Sequence, residues 1–324
     1  MRALYLLIFL YLFTADIGAA NIVLVDSYHH GYGWSAQYRE GLKATLGVEH
    51  QLKVYELDAK RLPQTELTIA ADRHFTAIIN AKPDLVILGD DHAIALLSER
   101  LMDHHFPLVV LGLNANPRNY NLHTYQDISG LLERPIYRRS VLLASELLPK
   151  KQTHKFLVLF DNSATSKMAL NEVSLNLKPI TIAGHQIEFA STNDYTEWQR
   201  LVSTSKDNGY SAVFVGLYHT LMSEEQHIPH QQVAKWAAKS TPAPIFAFWD
   251  FAVTDGMSLG GFVLNGYNHG VQAAKLCLMR LTQQQQATKF ITDRRGKYYF
   301  SRAELERWQI TLPSRVEYQS DFFK

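Results

Sequence analysis

The chain has 324 residues, of which 47% are hydrophobic and 19% charged, and a formal net charge of +1. That is long enough for two globular domains and too balanced in charge for a nucleic-acid-binding surface. Its single cysteine, Cys277, excludes an intramolecular disulfide.

The chain opens with Met1-Arg2, an apolar run from Ala3 to Phe13, and the small residues Gly18-Ala19-Ala20. This is the pattern of a Sec-type signal peptide over residues 1–20, cleaved after Ala20. The apolar run is shorter than the ~20 residues that span a bilayer. No cysteine follows Ala20 to carry a lipid, so a periplasmic protein that is not a lipoprotein is expected.

Ile22-Val23-Leu24-Val25 is an uninterrupted β run. It leads into Asp26-Ser27-Tyr28-His29-His30-Gly31-Tyr32-Gly33-Trp34, after which Trp34, Tyr38, Leu42 and Leu46 recur at helical spacing. The plan then repeats. Val54 to Leu57 reads as a strand and Thr68 to Asn80 as a helix. Leu85 to Leu88 is a buried strand ending in Gly89-Asp90-Asp91-His92, with a helix to Asp103. Pro107 to Leu111 is a fourth strand, ending in Asn114-Ala115-Asn116. Residues 115–135 carry loop chemistry, and the first crossing between lobes is expected there.

A helix over Ile136 to Leu147 opens the second lobe. Strands follow at Lys155 to Phe160 (ending Asp161-Asn162-Ser163), Gln186 to Ala190, Ala212 to Val215 (ending Tyr218-His219) and Ile245 to Phe248 (ending Trp249-Asp250). Helices are predicted over Ser166 to Asn176, Tyr195 to Ser205 and Gln231 to Ala238. Leu259 to Leu264 reads as a strand returning to the first lobe, and Gly270 to Leu281 as an amphipathic helix. Gln283 to Gln286 reads as a linker, Lys297 to Phe300 as an edge strand, and Ser301 with Glu304 as a capping box.

The alternation predicts an α/β protein of two Rossmann-like lobes with parallel sheets and a hinged interlobe cleft. Lobe 1 is expected over 21–118 plus 262–324, and lobe 2 over 119–261. Ligands sit at the carboxyl ends of parallel strands. The candidate ligand-binding residues are therefore Ser27, Tyr28, His29, Trp34, Asp90, Asp91, Asn114, Asn162, Tyr218, Trp249 and Asp250. Aromatic rings stack on flat groups or bracket cations, and Asp90 and Asp250 accept from an amine or hydroxyls. The bland alternatives are core packing for Trp34 and helix capping for Asp91.

Catalysis and metal binding draw little support. No nucleophile elbow, phosphate loop or dinucleotide fingerprint occurs. Ser27 with His29 or His30 has no defined nucleophile–base geometry at such short spacing. The pairs His29-His30 and His104-His105 project in opposite directions when extended, and no zinc-ligand spacing surrounds them. No cofactor is implied.

Three stretches resemble a known family: Val23 to His29 with Trp34 and Gly41; Gly260-Gly261 with Gly266, Gly270 and Ala273-Ala274; and Trp308-Gln309-Ile310-Thr311-Leu312-Pro313. They are similar to substrate-binding components of ABC transporters with a type I periplasmic-binding fold. That broad group includes aromatic amino acid binders and sensor modules that work with histidine kinases or diguanylate cyclases. The resemblance implies a monomer that binds a small molecule, closes around it, performs no chemistry, and meets an ABC permease or a membrane sensor.

Overall fold

The structure is a computed structural model and describes residues 18–254, 256–282 and 289–323. Most of the expected leader, the Gln283 to Gln286 linker and Asp255 lie outside the described residues.

Chain order runs β1 (Asn21–Asp26), α1 (Gly33–Leu46), β2 (Gln51–Glu56), α2 (Gln64–Ala81), β3 (Leu85–Gly89), α3 (Asp90–Asp103), β4 (Leu108–Leu113) and β5 (Ile128–Leu132). It continues through α4 (Tyr137–Leu147), β6 (Lys155–Phe160), α5 (Ala164–Asn171), β7 (Ile180–Ile182), β8 (His185–Ser191), α6 (Tyr195–Ser203) and β9 (Ala212–Val215). A hairpin of β10 (Met222–Ser223) and β11 (Gln226–His227) precedes α7 (His230–Ser240), β12 (Ile245–Ala247), α8 (Phe251–Thr254) and β13 (Gly260–Val263). The chain closes with α9 (Gly266–Leu281), β14 (Lys289–Thr292), β15 (Lys297–Ser301), α10 (Arg302–Arg307), α11 (Ser314–Glu317) and β16 (Ser320–Phe323).

Two sheets result. The first has the order β14-β5-β4-β3-β1-β2 and is parallel throughout. The second has the order β16-β15-β13-β12-β9-β6-β8-β7, with antiparallel pairs only at β13–β15 and β7–β8. The inner parallel strands β3, β4 and β9 are buried at every position and are apolar throughout rather than alternating, while the edge strand β2 is exposed or half-buried. Along β1, Ile22 and Leu24 enter one cluster while Val23 and Val25 enter another. The first of these clusters runs on through Phe156, Phe214 and Phe248 of the second sheet, so one core passes under both lobes.

The sheets correct the expected lobe limits. β5, read as loop from sequence, pairs with β4 in the first sheet. β13 stays in the second sheet beside β12, and the chain crosses back only after it. β15 and β16 also belong to the second sheet, so the C-terminal stretch leaves lobe 1. β15 is internal, and β16 forms the edge instead. Three segments therefore cross between lobes: 133–136, 264–265 and 293–296. Ser301 caps α10 by accepting from Glu304 N, as its sequence implied.

The helices α1 and α9 meet backbone to backbone. A Cβ on Gly41 would stand 2.1 Å from Tyr267 O, and one on Gly270 2.0 Å from Tyr38 O. This contact seats the helix that follows the β1 loop against the helix that follows the second crossing. Cys277 is buried in α9, and burial pushes its thiol pKa up. Among the described residues no helix is long and apolar enough to cross a membrane.

Candidate functional site

The β1 loop is built by buried side chains that fix its backbone. Asp26 Oδ1 accepts from Tyr28 N and from Ser35 Oγ, both at 2.9 Å. Ser27 Oγ donates to Gly89 O at 2.6 Å and accepts from Ala93 N at 2.8 Å. Ser27 thus ties β1 to the start of α3. Its hydroxyl is fully buried and holds both of these bonds, so it braces the loop.

This clamp presents Tyr28 and Tyr32 with ring centroids 4.7 Å apart. Lys60, just beyond β2, places Nζ 4.6 Å from one ring centroid and 4.8 Å from the other, a cation–π arrangement. Lys60 keeps solvent access, yet desolvation lowers the pKa of its ammonium, opposed by the charges of Asp161, Asp90 and Glu133. A side chain both accessible and desolvated has protein on several sides without being sealed, as in a cleft.

The cleft lies between lobes. The Tyr28 hydroxyl comes near Thr165 of α5, and the Tyr32 ring is 5.9 Å from that of His219 beyond β9. Desolvation holds His219 well below the usual histidine range, so it is neutral near pH 7. Both lobes thus contribute side chains from the carboxyl ends of their strands.

Below these rings sit two carboxylates without adequate partners. Asp90 opens α3 in the left-handed region, with φ 66°, a conformation costing a non-glycine residue about 1 kcal/mol or more. Opposite it, a Cβ on Gly112 would come within 3.0 Å of Asp90 Cγ. Glu133, at the first crossing, accepts from Trp249 Nε1 at 2.8 Å through Oε1. Among the described residues Asp90 Oδ2, Glu133 Oε2 and Asn114 Oδ1 are buried and have no hydrogen-bond partner. Burial, then the charges of Glu133, Asp26 and Asp91, push Asp90 well above the carboxylate range. Burial pushes Glu133 to about 8 and Asp26 to about 6. Arg134 does not pair closely with its neighbour Glu133. Its guanidinium donates to the carbonyls of Leu113, Glu133 and Ala115.

Asp91 and Asp161 are satisfied, whereas Asp26 Oδ2 and Asp250 Oδ1 also lack a hydrogen-bond partner among the described residues. Asp91 accepts from Asn114 N and Ala115 N at 3.0 Å each. Asp161 accepts from Ser163 and Ser166 through Oδ1 and from His219 N and Thr220 N through Oδ2. These two carboxylates shape loops. His269 accepts from Gly112 N at Nε2, so its Nδ1–H donates to Asp293 Oδ2 at 2.8 Å. That pair is buried and joins α9, β4 and the third crossing.

Tyr28 thus presents a ring, Asp90 and Asn114 buried acceptor oxygens, and Trp249 the partner of Glu133, while other expected residues mainly brace the surrounding loops and cores. Trp34 is buried beside His269, with ring centroids 5.4 Å apart. Asp250 accepts from Asn265 at 2.6 Å and belongs to the second crossing. Tyr218 is in the lobe 2 core, stacked on His219. Asn162 is exposed on the lobe 2 rim, its N–H bound by Asn193. His29 is half-buried and accepts from Gly31 N within its own loop. Tyr32 and His219 join the site from strand-end loops that the sequence had marked, and Lys60 and Glu133 join it from outside those loops. Lys60 follows a strand whose end was passed over, and Glu133 follows β5, which was read as loop. Among the described residues no group of three or more His, Cys, Asp or Glu side chains is placed to hold a metal ion.

Searches against family models and curated proteins find no match. Solved structures do match. An ABC domain from Streptococcus pneumonia in complex with L-Trp aligns over 94% of this chain and 99% of its own, at TM-score 0.63 and 16% identity. The ligand-free, open structure of CD0873, a substrate binding protein with adhesive properties from Clostridium difficile, has the same coverage, TM-score 0.66 and 14% identity. The fold is that of type I periplasmic-binding proteins. A putative LacI-family repressor from Corynebacterium glutamicum aligns over 86% of this chain and 96% of its own at TM-score 0.52 and 12% identity. The fold thus serves both binding proteins and regulators, so the side chains of the cleft must carry any functional reading.

Proposed function

We propose that this protein binds a small solute between its lobes and performs no chemistry on it. One observation carries the reading: strand-end loops of both sheets meet over the crossings and bring aromatic rings together with buried polar atoms that lack partners. Buried orphan acceptors cost about 1–3 kcal/mol each, and a bound solute relieves that cost. The similarity to substrate-binding structures, one of them in complex with L-Trp, supports the same reading. Ser27, the only nucleophile suggested by the sequence, is committed to Gly89 O and Ala93 N, which speaks against hydrolysis.

In this reading the solute binds the closed arrangement better than the open one, and the three crossings act as the hinge. The protein is exported to the periplasm by its leader and works as a monomer, and an ABC permease reads its closed form. A membrane kinase or cyclase that senses the same closure is the alternative partner. The test is titration calorimetry on protein stripped by unfolding and refolding, against amino acids, amines, purines and sugars, with X-ray scattering on any hit. Saturable binding with a smaller radius of gyration supports the proposal. The absence of heat or compaction with every solute overturns it.

A further inference from the structure

Resting on the reading that the cleft takes a solute, the geometry points to its class: an organic amine whose protonated nitrogen replaces the Lys60 ammonium between the tyrosines and above the carboxylates. We propose that Lys60 is a built-in stand-in for the ligand.

Three features carry this. A cation already occupies the cage, since Lys60 Nζ lies 4.6 and 4.8 Å from the centroids of Tyr28 and Tyr32. Beside the ring nitrogens His92 Nδ1 and His219 Nδ1, the buried site atoms without partners among the described residues include three acceptor oxygens: Asp90 Oδ2, Glu133 Oε2 and Asn114 Oδ1. They belong to residues 3%, 5% and 1% exposed, so bulk solvent does not reach them. A primary ammonium brings three N–H donors and a positive charge, which matches three acceptors, two of them carboxylate oxygens. A neutral hydroxyl would bring one donor and no charge, whereas a bound ammonium favours the ionised form of the two carboxyls that burial otherwise keeps protonated.

Lys60 itself leaves those acceptors unserved. It reaches them through its charge while its nitrogen sits against the rings. Because the residue is exposed and lies in the loop after β2, its side chain has somewhere to go. A shorter, free amine can pass deeper than a tethered lysine and meet the acceptors directly. The tethered cation then acts as an internal competitor. It keeps the cage closed when no ligand is present and sets a threshold concentration that the ligand must exceed.

The test uses full-length mature protein and the probes tyramine, its neutral counterpart N-acetyltyramine, and 4-hydroxyphenylacetate. Melting-temperature shifts and calorimetry are read for wild type, Lys60→Gln and Asp90→Asn/Glu133→Gln. The expected result is that tyramine binds at least 100-fold more tightly than either counterpart. Lys60→Gln should tighten tyramine about tenfold, and the double variant should lose it. As a second readout that needs no variant, acylation of Lys60 in wild-type protein, followed by mass spectrometry, should accelerate when tyramine binds. Binding of N-acetyltyramine or 4-hydroxyphenylacetate in preference to tyramine overturns the amine class and leaves solute binding standing. Slower Lys60 acylation with tyramine, or weaker binding by Lys60→Gln, overturns the stand-in role. No stabilisation by any probe, joined to a silent solute panel, overturns both readings.

Discussion

Glu133→Gln should stabilise the protein above neutral pH. Glu133 is 5% exposed, and burial raises its carboxyl from the ordinary 4.5 to about 8. The folded carboxyl therefore holds its proton more tightly than the unfolded one. Stability is greatest below pH 4.5, falls as pH rises, and levels off above about 8. Each pH unit within that window costs ~1.4 kcal/mol. Between pH 4.5 and 7 the loss is on the order of 3 kcal/mol. Glutamine keeps an oxygen for Trp249 Nε1 and removes the titrating group. The assay is urea unfolding of both proteins at pH 5, 6, 7 and 8. The two should lie close together at pH 5 and separate progressively, with Glu133→Gln the more stable by on the order of 3 kcal/mol at pH 7. Parallel curves across the range would refute the claim that an uncompensated carboxylate is buried at the crossing. Gained stability with lost amine binding would show a site kept at the expense of the fold.

Ser27→Ala leaves Gly89 O with its bond from Ser27 N but takes the hydroxyl acceptor from Ala93 N, and should lower unfolding free energy by about 1–2 kcal/mol in urea, with solute affinity within a fewfold of wild type. His269→Ala removes the partner of Asp293 and should cost about 3–5 kcal/mol. Burial alone would raise the Asp293 pKa, but the bond from His269 lowers it. In wild type that stabilisation is present above the ordinary carboxylate range and lost as pH falls through the depressed value, so the variant should lose less on acidification. Gly270→Ala drives a Cβ to within 2.0 Å of Tyr38 O and should cost about 3 kcal/mol, read as a lower melting temperature.

The site was half legible in the sequence. Tyr28 and Asp90 were found because each follows a Val/Ile/Leu strand, and the rule that ligands meet strand ends then applies. Lys60 follows β2, Gln51–Glu56, whose residues are exposed or half-buried, so no apolar run marked its end. Glu133 was hidden because β5 is only Ile128–Leu132 and contains Ser129 and Gly130. Gly130 suits that strand for a reason invisible in one dimension: a Cβ there would stand 2.3 Å from the Phe290 ring on β14.

The amino-acid order by itself determined the strand–helix alternation, because a strand buried on both faces must be apolar at every position, and Ile22 to Val25 or Leu85 to Leu88 can be little else. It also set the caps and close approaches that local chemistry demands, such as Ser301 with Glu304. Only the tertiary structure decided which sheet received β13, β15 and β16, since short strands take their place from their neighbours. It alone also separated Asp91 and Asp161, whose oxygens are filled by backbone and side-chain donors, from Asp90 and Glu133, each of which has an oxygen with no hydrogen-bond partner among the described residues. A carboxylate reads the same in any sequence, and whether it is a brace or a binding group depends on which donors the fold brings within about 3 Å.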